Sequence, residues 1–374
     1  MRSANLSTLV CVLIATTAVS ACAQDHKTRN VIFVMTDGFR WEEAFRGADP
    51  ALMDKKHGHV GDLKRLQAEY WRDTAADRRQ ALLPFLWTVV KRDGQIYGNR
   101  DLASDAFVTN GLNFSYPGYS EAFCGFADPR INSNDKKPNP NVNVLEWLNQ
   151  KSEFAGKIAA FGAWEVFPYI FNAGRSGLLV NSGFEPFSEP PLTPAMEAIN
   201  ILKRETDVFD DEALDAFPFH TALEYLKTRK PRVLYLSLGE TDDWAHGGKY
   251  DLYLRAAHRF DEYVKVLWET AQSMPEYHGS TTLMLAVDHG RGPAPEKWKS
   301  HGDKLPESKY VWMAFMGPDT PALGERSRIP AVTQSQLAAT LAALLGEDYP
   351  ASQPKAGNSI SDVNSSHQKF TQLQ

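Results

Sequence analysis

The chain has 374 residues, with 40 lysine and arginine residues against 46 aspartate and glutamate residues, and therefore a formal net charge of -6. Hydrophobic residues make up 43% and charged residues 23%, which is typical of a globular protein and not of a disordered chain. Because there is no basic excess, the composition argues against nucleic-acid binding, which needs a clustered positive surface.

The N-terminal segment has the layout of a secretory signal peptide. Arg2 is followed by an apolar stretch at residues 9–18 and then by small residues. That stretch is shorter than the roughly 20 apolar residues of a membrane-spanning helix. We therefore predict a signal peptide at residues 1–23 and an exported protein, periplasmic or secreted. Two processing routes fit the sequence: cleavage after Ala23, or lipidation of Cys22 in a lipobox-like sequence, which would then be the membrane anchor.

The cysteine count limits the kinds of metal site. Cys11 and Cys22 lie in the predicted signal peptide, which leaves Cys124 as the single cysteine of the mature chain. No internal disulfide and no cysteine-based zinc site can form in such a chain. Any metal ion must be held by carboxylate oxygen and imidazole nitrogen.

Short apolar runs alternate with helical patterns along the chain. The predicted strands lie at residues 30–35, 157–161, 232–238, 281–287 and 310–316. The predicted helices lie at residues 62–72, 81–91, 143–150, 214–228, 250–272 and 334–345. This alternation indicates βαβ units, so we predict a three-layer α/β/α domain with a mostly parallel central sheet at residues 28–348.

Three polar segments interrupt or end this pattern. Proline-rich patches at residues 135–141 and 185–194 are predicted to be surface insertions. Residues 349–374 contain few apolar side chains, and we predict that they form a flexible polar tail.

An acidic residue follows three of the predicted buried strands, and these residues are Asp37, Asp242 and Asp288. In open α/β sheets, ligands bind beyond the carboxyl ends of the strands. Three carboxylates that meet at one edge would repel one another unless a cation lies among them. The sequence therefore predicts a metal site at this edge of the sheet.

Imidazoles accompany these carboxylates. His246 follows Asp242 by four residues, on the same face of a helical turn, His289 directly follows Asp288, and His301 lies a short distance further on. At least six oxygen and nitrogen ligands suit two divalent ions, with Zn²⁺ favoured by imidazole and Mn²⁺ as the alternative. Two such ions about 4 Å apart stabilise the attacking and leaving oxygens of a displacement at phosphorus.

A nucleophilic hydroxyl is expected near the same edge. Ser115 directly precedes a Tyr-Pro pair, Ser120 begins a short helical pattern at residues 120–125, and Thr109 is a third candidate. A hydroxyl at a helix N-terminus lies near the positive end of the helix dipole, which favours its ionised form. These residues alone do not separate Ser115 from Ser120, which could instead cap the helix.

Together, the motifs resemble the alkaline phosphatase superfamily, and most closely its type I phosphodiesterase/nucleotide pyrophosphatase branch. In that branch a nucleophilic Thr or Ser directly precedes an aromatic-Pro pair, as Ser115 does here. The resemblance extends over residues 30–346. It implies an alkaline phosphatase-like fold and a metal-dependent hydrolase that acts on small-molecule phosphate esters through a phosphoseryl intermediate.

The resemblance also implies a role for each ligand. One ion would be held by Asp37, Asp288, His289 and the nucleophile Ser115. The other ion would be held by Asp242, His246 and His301.

The sequence departs from this branch at two points. Gly118 stands where an Asn commonly follows the aromatic-Pro pair, and a second Asn that helps the oxyanion is matched by Asn134, or less well by Asn132. A phosphomonoesterase or a phosphonate hydrolase of the same superfamily is therefore an alternative. The sulfatase motif Cys-x-Pro-x-Arg is absent, and the predicted export disfavours a phosphoglycerate mutase-like enzyme. The alternative outside the enzymes is a non-catalytic, metal-stabilised surface lipoprotein.

Overall fold

The computed structural model of the protein describes residues 26–364. The predicted signal peptide, with both of its processing sites at Cys22 and Ala23, lies outside the described residues, as do residues 365–374. Within residues 26–364, no helix combines the length and the apolar character needed to cross a membrane.

The described chain contains a large sheet and a small one. The strands are β1 (Asn30–Thr36), β2 (Gly94–Tyr97), β3 (Ala106–Phe107), β4 (Ile158–Gly162), β5 (Leu179–Ser182), β6 (Val233–Leu238), β7 (Thr281–Val287), β8 (Met313–Met316), β9 (Gly324–Glu325) and β10 (Val332–Thr333). The large sheet has eight strands in the order β5-β4-β6-β1-β7-β8-β2-β9, and β10 pairs with β3. β8 runs antiparallel to both neighbours, whereas the other pairs in the large sheet are parallel.

The centre of the large sheet positions the site. Strand β1 lies between β6 and β7, and all residues of these three strands are buried, as their apolar sequences require. Thr36 at the end of β1 is opposite Leu238 of β6 and Val287 of β7. The three strands therefore end level, and the residues that follow them emerge at one edge of the sheet.

Helices surround the sheet. They are α1 (Trp41–Arg46), α2 (Leu63–Tyr70), α3 (Ala75–Leu82), α4 (Lys91–Asp93), α5 (Ser115–Cys124), α6 (Val144–Asn149), α7 (Phe167–Ile170), α8 (Ala173–Ser176), α9 (Pro194–Glu205), α10 (Ala216–Arg229), α11 (Glu240–His246), α12 (Tyr250–Ser273), α13 (Leu337–Leu344) and α14 (Tyr349–Ser352). Phe123 of α5 packs against Phe33 and Tyr235 of the sheet, while α10 and α12 contact each other and strands β4, β6 and β7. The predicted three-layer α/β/α class with a mostly parallel central sheet is confirmed.

One predicted helix is wrong in its extent. The pattern at residues 81–91 predicts a single helix, but α3 ends at Leu82 and a π-helical turn covers Leu86–Val90. Pro84 lies between them and interrupts the helix because its nitrogen carries no hydrogen. The backbone N–H groups of the two residues after Pro84 donate to the Asp261 carboxylate at 2.7 and 2.8 Å.

The described part of the predicted tail is packed against the domain. Helix α14 begins at Tyr349, whose hydroxyl donates to the backbone oxygen of Val142 at 2.8 Å. Further along, Ile360 and Val363 are buried. Residues 349–364 are therefore not a loose extension, because their few apolar side chains are spaced to reach the core.

Candidate active site

The two central strands β1 and β7 bring Asp37 and Asp288 together. The backbone N–H of Gly38 donates to Oδ1 of Asp288 at 3.0 Å, and the hydroxyl of Tyr119 donates to Oδ2 of Asp37 at 3.1 Å. Each carboxylate has one further oxygen, Oδ1 of Asp37 and Oδ2 of Asp288; both atoms are buried and make no well-formed hydrogen bond, and the nearest nitrogen is Nε2 of His289. Buried carboxylate oxygens without partners are costly unless a cation or a proton satisfies them.

His289 points its ring at these two oxygens. Its Nε2 lies 3.2 Å from Oδ1 of Asp37 and 3.4 Å from Oδ2 of Asp288, and its side chain is fully buried. The Nδ1 atom donates to the backbone oxygen of Gly290 at 2.9 Å. That contact fixes the ring so that Nε2 can offer a lone pair to a metal ion, which is the usual arrangement of a metal-binding histidine.

The electrostatics of this first group favour a bound cation. Burial, together with the charge of Asp37, holds the pKa of Asp288 well above its ordinary value. Burial alone would lower the pKa of His289, but Asp288 and Asp37 outweigh it and raise that pKa to about 9. In the metal-free protein the imidazolium is therefore the positive charge among the carboxylates. A divalent cation fits the donor set of Asp37, Asp288 and His289, whose ligand atoms all lie within 4.8 Å of one another.

A second group of ligand atoms lies beside the first. Asp242 and His246 are on α11, and Nε2 of His246 is 3.0 Å from Oδ2 of Asp242. Nε2 of His301 is also 3.0 Å from Nε2 of His246, and the ring of His301 stacks on that of His289 at a centroid distance of 3.9 Å. Asp242, His289 and His301 form the second set of ligand atoms that lie within 4.8 Å of one another.

The charges of the second group differ from those of the first. Burial and the neighbouring His289 lower the pKa of His301 to about 2, so this ring stays neutral and able to bind a metal ion. Burial would raise the pKa of Asp242, but Arg291 and the two nearby imidazoles hold it well below its ordinary value. Arg291 forms an ion pair with Oδ1 of Asp242. The adjacent Asp243 has its pKa raised to about 8 by burial and by Asp242.

Ser115 lies beside the first group of ligand atoms. It is the first residue of α5, is 7% exposed, and places its Oγ 3.3 Å from Nε2 of His289. The two other candidate hydroxyls lie elsewhere: Oγ of Ser120 accepts a hydrogen bond from Asn139 at 3.0 Å, and Oγ1 of Thr109 donates to Glu121 at 2.8 Å. The predicted helix start at Ser120 is wrong, because Ser120 lies in the middle of α5.

A buried glutamine fixes α5 against β7. Nε2 of Gln334 donates to the backbone oxygens of Gly118 at 2.7 Å and of Asp288 at 3.0 Å. A Cβ atom on Gly118 would lie 2.4 Å from that oxygen of Asp288, so no larger residue fits. This close approach leaves no room for an Asn side chain at position 118.

Of the two asparagines considered from the sequence, Asn134 lies next to Ser115. Its Oδ1 accepts a hydrogen bond from the backbone N–H of Tyr116 at 3.0 Å. Both asparagines are exposed, but of the two only Asn134 makes this contact with the residue after Ser115. A cavity of about 470 Å³ has Lys136, Glu165 and Tyr169 among its lining residues, and neither Ser115 nor any of the candidate metal ligands lines it.

Three residues of the site were not singled out from the sequence. Arg291 follows the Asp288-His289 pair by two positions, which is a local signal that sequence reasoning could have used. Tyr119 and Gln334 gave no such signal. The partner of Tyr119 is the distant side chain of Asp37, and the partners of Gln334 are two backbone oxygens far away in the sequence.

Comparison with known proteins gives structural relatives. No family model matches the sequence, and no curated protein matches it. Among solved structures, wild-type alkaline phosphatase PafA is 10% identical, with a TM-score of 0.57 over 90% of this chain and 99% of that chain. A protein in the alkaline phosphatase superfamily from Vibrio parahaemolyticus is 12% identical, with a TM-score of 0.53 over 90% of this chain and 71% of that chain.

A 2-O GAG sulfatase is a further structural relative. It is 13% identical, with a TM-score of 0.56 over 91% of this chain and 75% of that chain. At such identities the likeness concerns the fold and does not choose among the branches. The chain has the fold of the alkaline phosphatase superfamily, as the sequence motifs predicted.

Proposed function

We propose that the protein is a two-metal hydrolase of phosphate esters with Ser115 as its nucleophile. The observation that carries this proposal is the meeting of three atoms around Nε2 of His289: Oγ of Ser115 and the unpartnered oxygens of Asp37 and Asp288. A hydroxyl at a helix N-terminus beside two buried carboxylates is suited to attack on phosphorus when a divalent cation offsets their charge.

The ligands are assigned as the sequence resemblance implies. Asp37, Asp288, His289 and Ser115 would hold one cation, and Asp242, His246 and His301 would hold the other; Zn²⁺ suits this mixture of ligands best, with Mn²⁺ as the alternative. When bound, the two cations supply Lewis-acid stabilisation of the attacking and leaving oxygens.

The chain's own groups then carry out two displacements. Oγ of Ser115 loses its proton to solvent and forms a bond to phosphorus, while the bond from phosphorus to the leaving oxygen breaks and that oxygen takes up a proton from solvent. Water hydrolyses the resulting phosphoserine, which restores the hydroxyl and releases the phosphate product. Asn134 is held beside Ser115 through the backbone of Tyr116, and its amide hydrogens would stabilise the developing negative charge on a phosphoryl oxygen.

Phosphodiesters are the proposed substrate class. The Ser-Tyr-Pro sequence at residues 115–117 supports this, and the missing Cys-x-Pro-x-Arg motif separates the chain from formylglycine sulfatases. We also propose that residues 1–23 direct export, so that the enzyme acts on small molecules outside the cytoplasm. Mass spectrometry of the N-terminus of the mature protein would separate cleavage after Ala23 from lipidation at Cys22.

One experiment tests the proposed function. The purified protein is analysed for bound metals and assayed with added Zn²⁺ or Mn²⁺ on aryl phosphodiesters, phosphomonoesters, phosphonates and sulfate esters. We expect two metal ions per chain and the highest kcat/KM on a phosphodiester. A preference for monoesters or phosphonates would reassign the substrate. Absence of turnover on every ester would favour the non-catalytic surface protein.

A further inference from the structure

Arg291 is a buried cation beside the second group of ligand atoms. Its side chain is fully buried and makes three separate contacts. Nη1 pairs with Oδ1 of Asp242, Nε donates to the backbone oxygen of Trp298 at 2.7 Å, and Nη2 donates to the backbone oxygen of Lys299 at 2.5 Å. A buried guanidinium is stable only where its charge and its donors are satisfied, and these contacts meet that condition.

These contacts connect the three segments that supply the second group. Asp242 lies on α11, Arg291 follows β7, and the backbone oxygens belong to the loop that carries His301 two residues later. No helix or strand covers residues 292–300, so contacts such as these determine the shape of the loop. Trp298 is itself fully buried and donates through its ring nitrogen to the backbone oxygen of His57 at 3.2 Å.

The surroundings are built to accommodate Arg291. A Cβ atom on Gly38 would lie 2.4 Å from Oδ1 of Asp242 and 2.7 Å from Nη1 of Arg291, and Gly38 has a φ of +56°. Both the space and the backbone conformation at this position therefore require glycine. Oδ1 of Asp242, which Arg291 engages, lies 3.7 Å from Nε2 of His301 and 4.0 Å from Nε2 of His289, whereas Oδ2 faces Nε2 of His246 at 3.0 Å.

We propose that Arg291 is a positioning residue for the second cation, which it serves by fixing the Asp242 carboxylate and the loop that bears His301. This inference rests on the proposed two-metal function. The guanidinium fixes the orientation of the Asp242 carboxylate through Oδ1, and its hydrogen bonds to the backbone oxygens of Trp298 and Lys299 set the position of the loop that bears His301. Partners behind metal ligands commonly contribute 10- to 100-fold to metal affinity.

The test compares Zn²⁺ binding in the wild type, Arg291→Lys and Arg291→Met by competition with a chelator. We expect one of the two sites to weaken about 10- to 100-fold in both variants, while the other site keeps its affinity. Lysine retains the charge but cannot form all three contacts of the guanidinium at once. Arg291→Lys therefore tests positioning even where Arg291→Met does not fold. Arg79→Lys is the matched control, because Arg79 makes a similar fork with Glu325 at 2.7 and 2.9 Å.

The outcomes separate this inference from the proposed function. Two sites of wild-type affinity in folded Arg291 variants would overturn the positioning role and leave the two-metal proposal intact. Full affinity in Arg291→Lys with a loss only in Arg291→Met would also overturn it, since charge alone would then suffice. A wild-type protein that binds fewer than two Zn²⁺ ions would overturn the proposed function and this inference with it.

Discussion

Oγ of Ser115 lies 3.3 Å from Nε2 of His289, although the two residues are 174 positions apart in the chain. The relationship depends on the contact between α5 and the end of β7, which Gln334 secures through hydrogen bonds to the backbone oxygens of Gly118 and Asp288. The proposed nucleophile and the first group of candidate ligands are therefore held by α5 and the end of β7, and specific substitutions should affect them separately.

Removal of the Ser115 hydroxyl should abolish turnover while the other three ligands of the first cation remain. We expect Ser115→Ala to lower kcat by on the order of 1,000-fold or more, because loss of a nucleophile removes the covalent route. Metal content should remain near the wild-type value, since the carboxylates and imidazoles stay in place. Ser120→Ala is the matched control and should retain activity, because Ser120 contacts Asn139 instead of the site. Wild-type activity in Ser115→Ala would assign the nucleophile to another residue.

The metal-free protein should lose stability as the pH rises from about 6.5 to 9. The pKa of His289 is raised to about 9 in the folded protein, so its favourable interaction with the carboxylates is complete below its ordinary value of 6.5 and is lost as the pH rises through 9. The pKa of Asp243, raised to about 8, acts in the same direction, because ionisation of that buried carboxyl group costs free energy.

Urea unfolding at pH 6.5 and pH 9 in the presence of a chelator measures this effect. Saturating Zn²⁺ should abolish most of the difference, because the cation replaces the imidazolium among the carboxylates. A free energy of unfolding that rises over this interval in the metal-free protein would refute the proposed charge balance.

Replacement of Asp288 by Asn should separate stability from metal binding. Burial raises the pKa of Asp288, so without metal the neutral amide removes the cost of this buried carboxyl group but also its charge beside His289, and the free energy of unfolding at pH 7 should change little. Added Zn²⁺ should raise the melting temperature of the wild type but hardly that of Asp288→Asn, which lacks one ligand. Asp101→Asn, at an exposed ion pair with Arg46, should respond to Zn²⁺ like the wild type. An equal response in Asp288→Asn would remove Asp288 from the ligands.

Gly118 should tolerate no side chain. In Gly118→Ala the new Cβ atom would lie 2.4 Å from the backbone oxygen of Asp288, so α5 and β7 must separate. We expect a loss of about 1–3 kcal/mol in the free energy of unfolding and a fall in kcat, because Ser115 moves with α5. Gly174→Ala, where a Cβ atom meets nothing within 4 Å, is the control for a glycine substitution in a helix. Unchanged stability and activity in Gly118→Ala would contradict this packing.

The central sheet and its acidic edge could be predicted from the sequence because the strands themselves carry the signal. Strands β1, β6 and β7 are continuous apolar runs, and the acidic residues follow them directly or within one turn of helix. Parallel strands place their carboxyl ends at one edge, so the chain order alone is enough to bring Asp37 and Asp288 together. The identity of the metal ions and of the substrate stays a proposal.

Features that depend on tertiary contacts were harder to predict. The start of α5 decides between Ser115 and Ser120 as the hydroxyl at the helix N-terminus. Pro117 indicates that start, because proline is tolerated in the first turn of a helix but not in its interior. The role of Arg291 depends on backbone oxygens of a loop without regular structure, which no residue pattern specifies. The same holds for Gln334, whose partners are two backbone oxygens.

The most direct measurement of the central claim is anomalous X-ray diffraction at the zinc edge from crystals of the Zn²⁺-loaded protein. We predict two zinc peaks beside Oγ of Ser115, each about 2.0–2.2 Å from carboxylate oxygens or imidazole nitrogens. One peak should lie among Asp37, Asp288 and His289, and the other among Asp242, His246 and His301. Crystals with zinc bound only elsewhere, or with both groups free of anomalous signal at saturating Zn²⁺, would contradict the account.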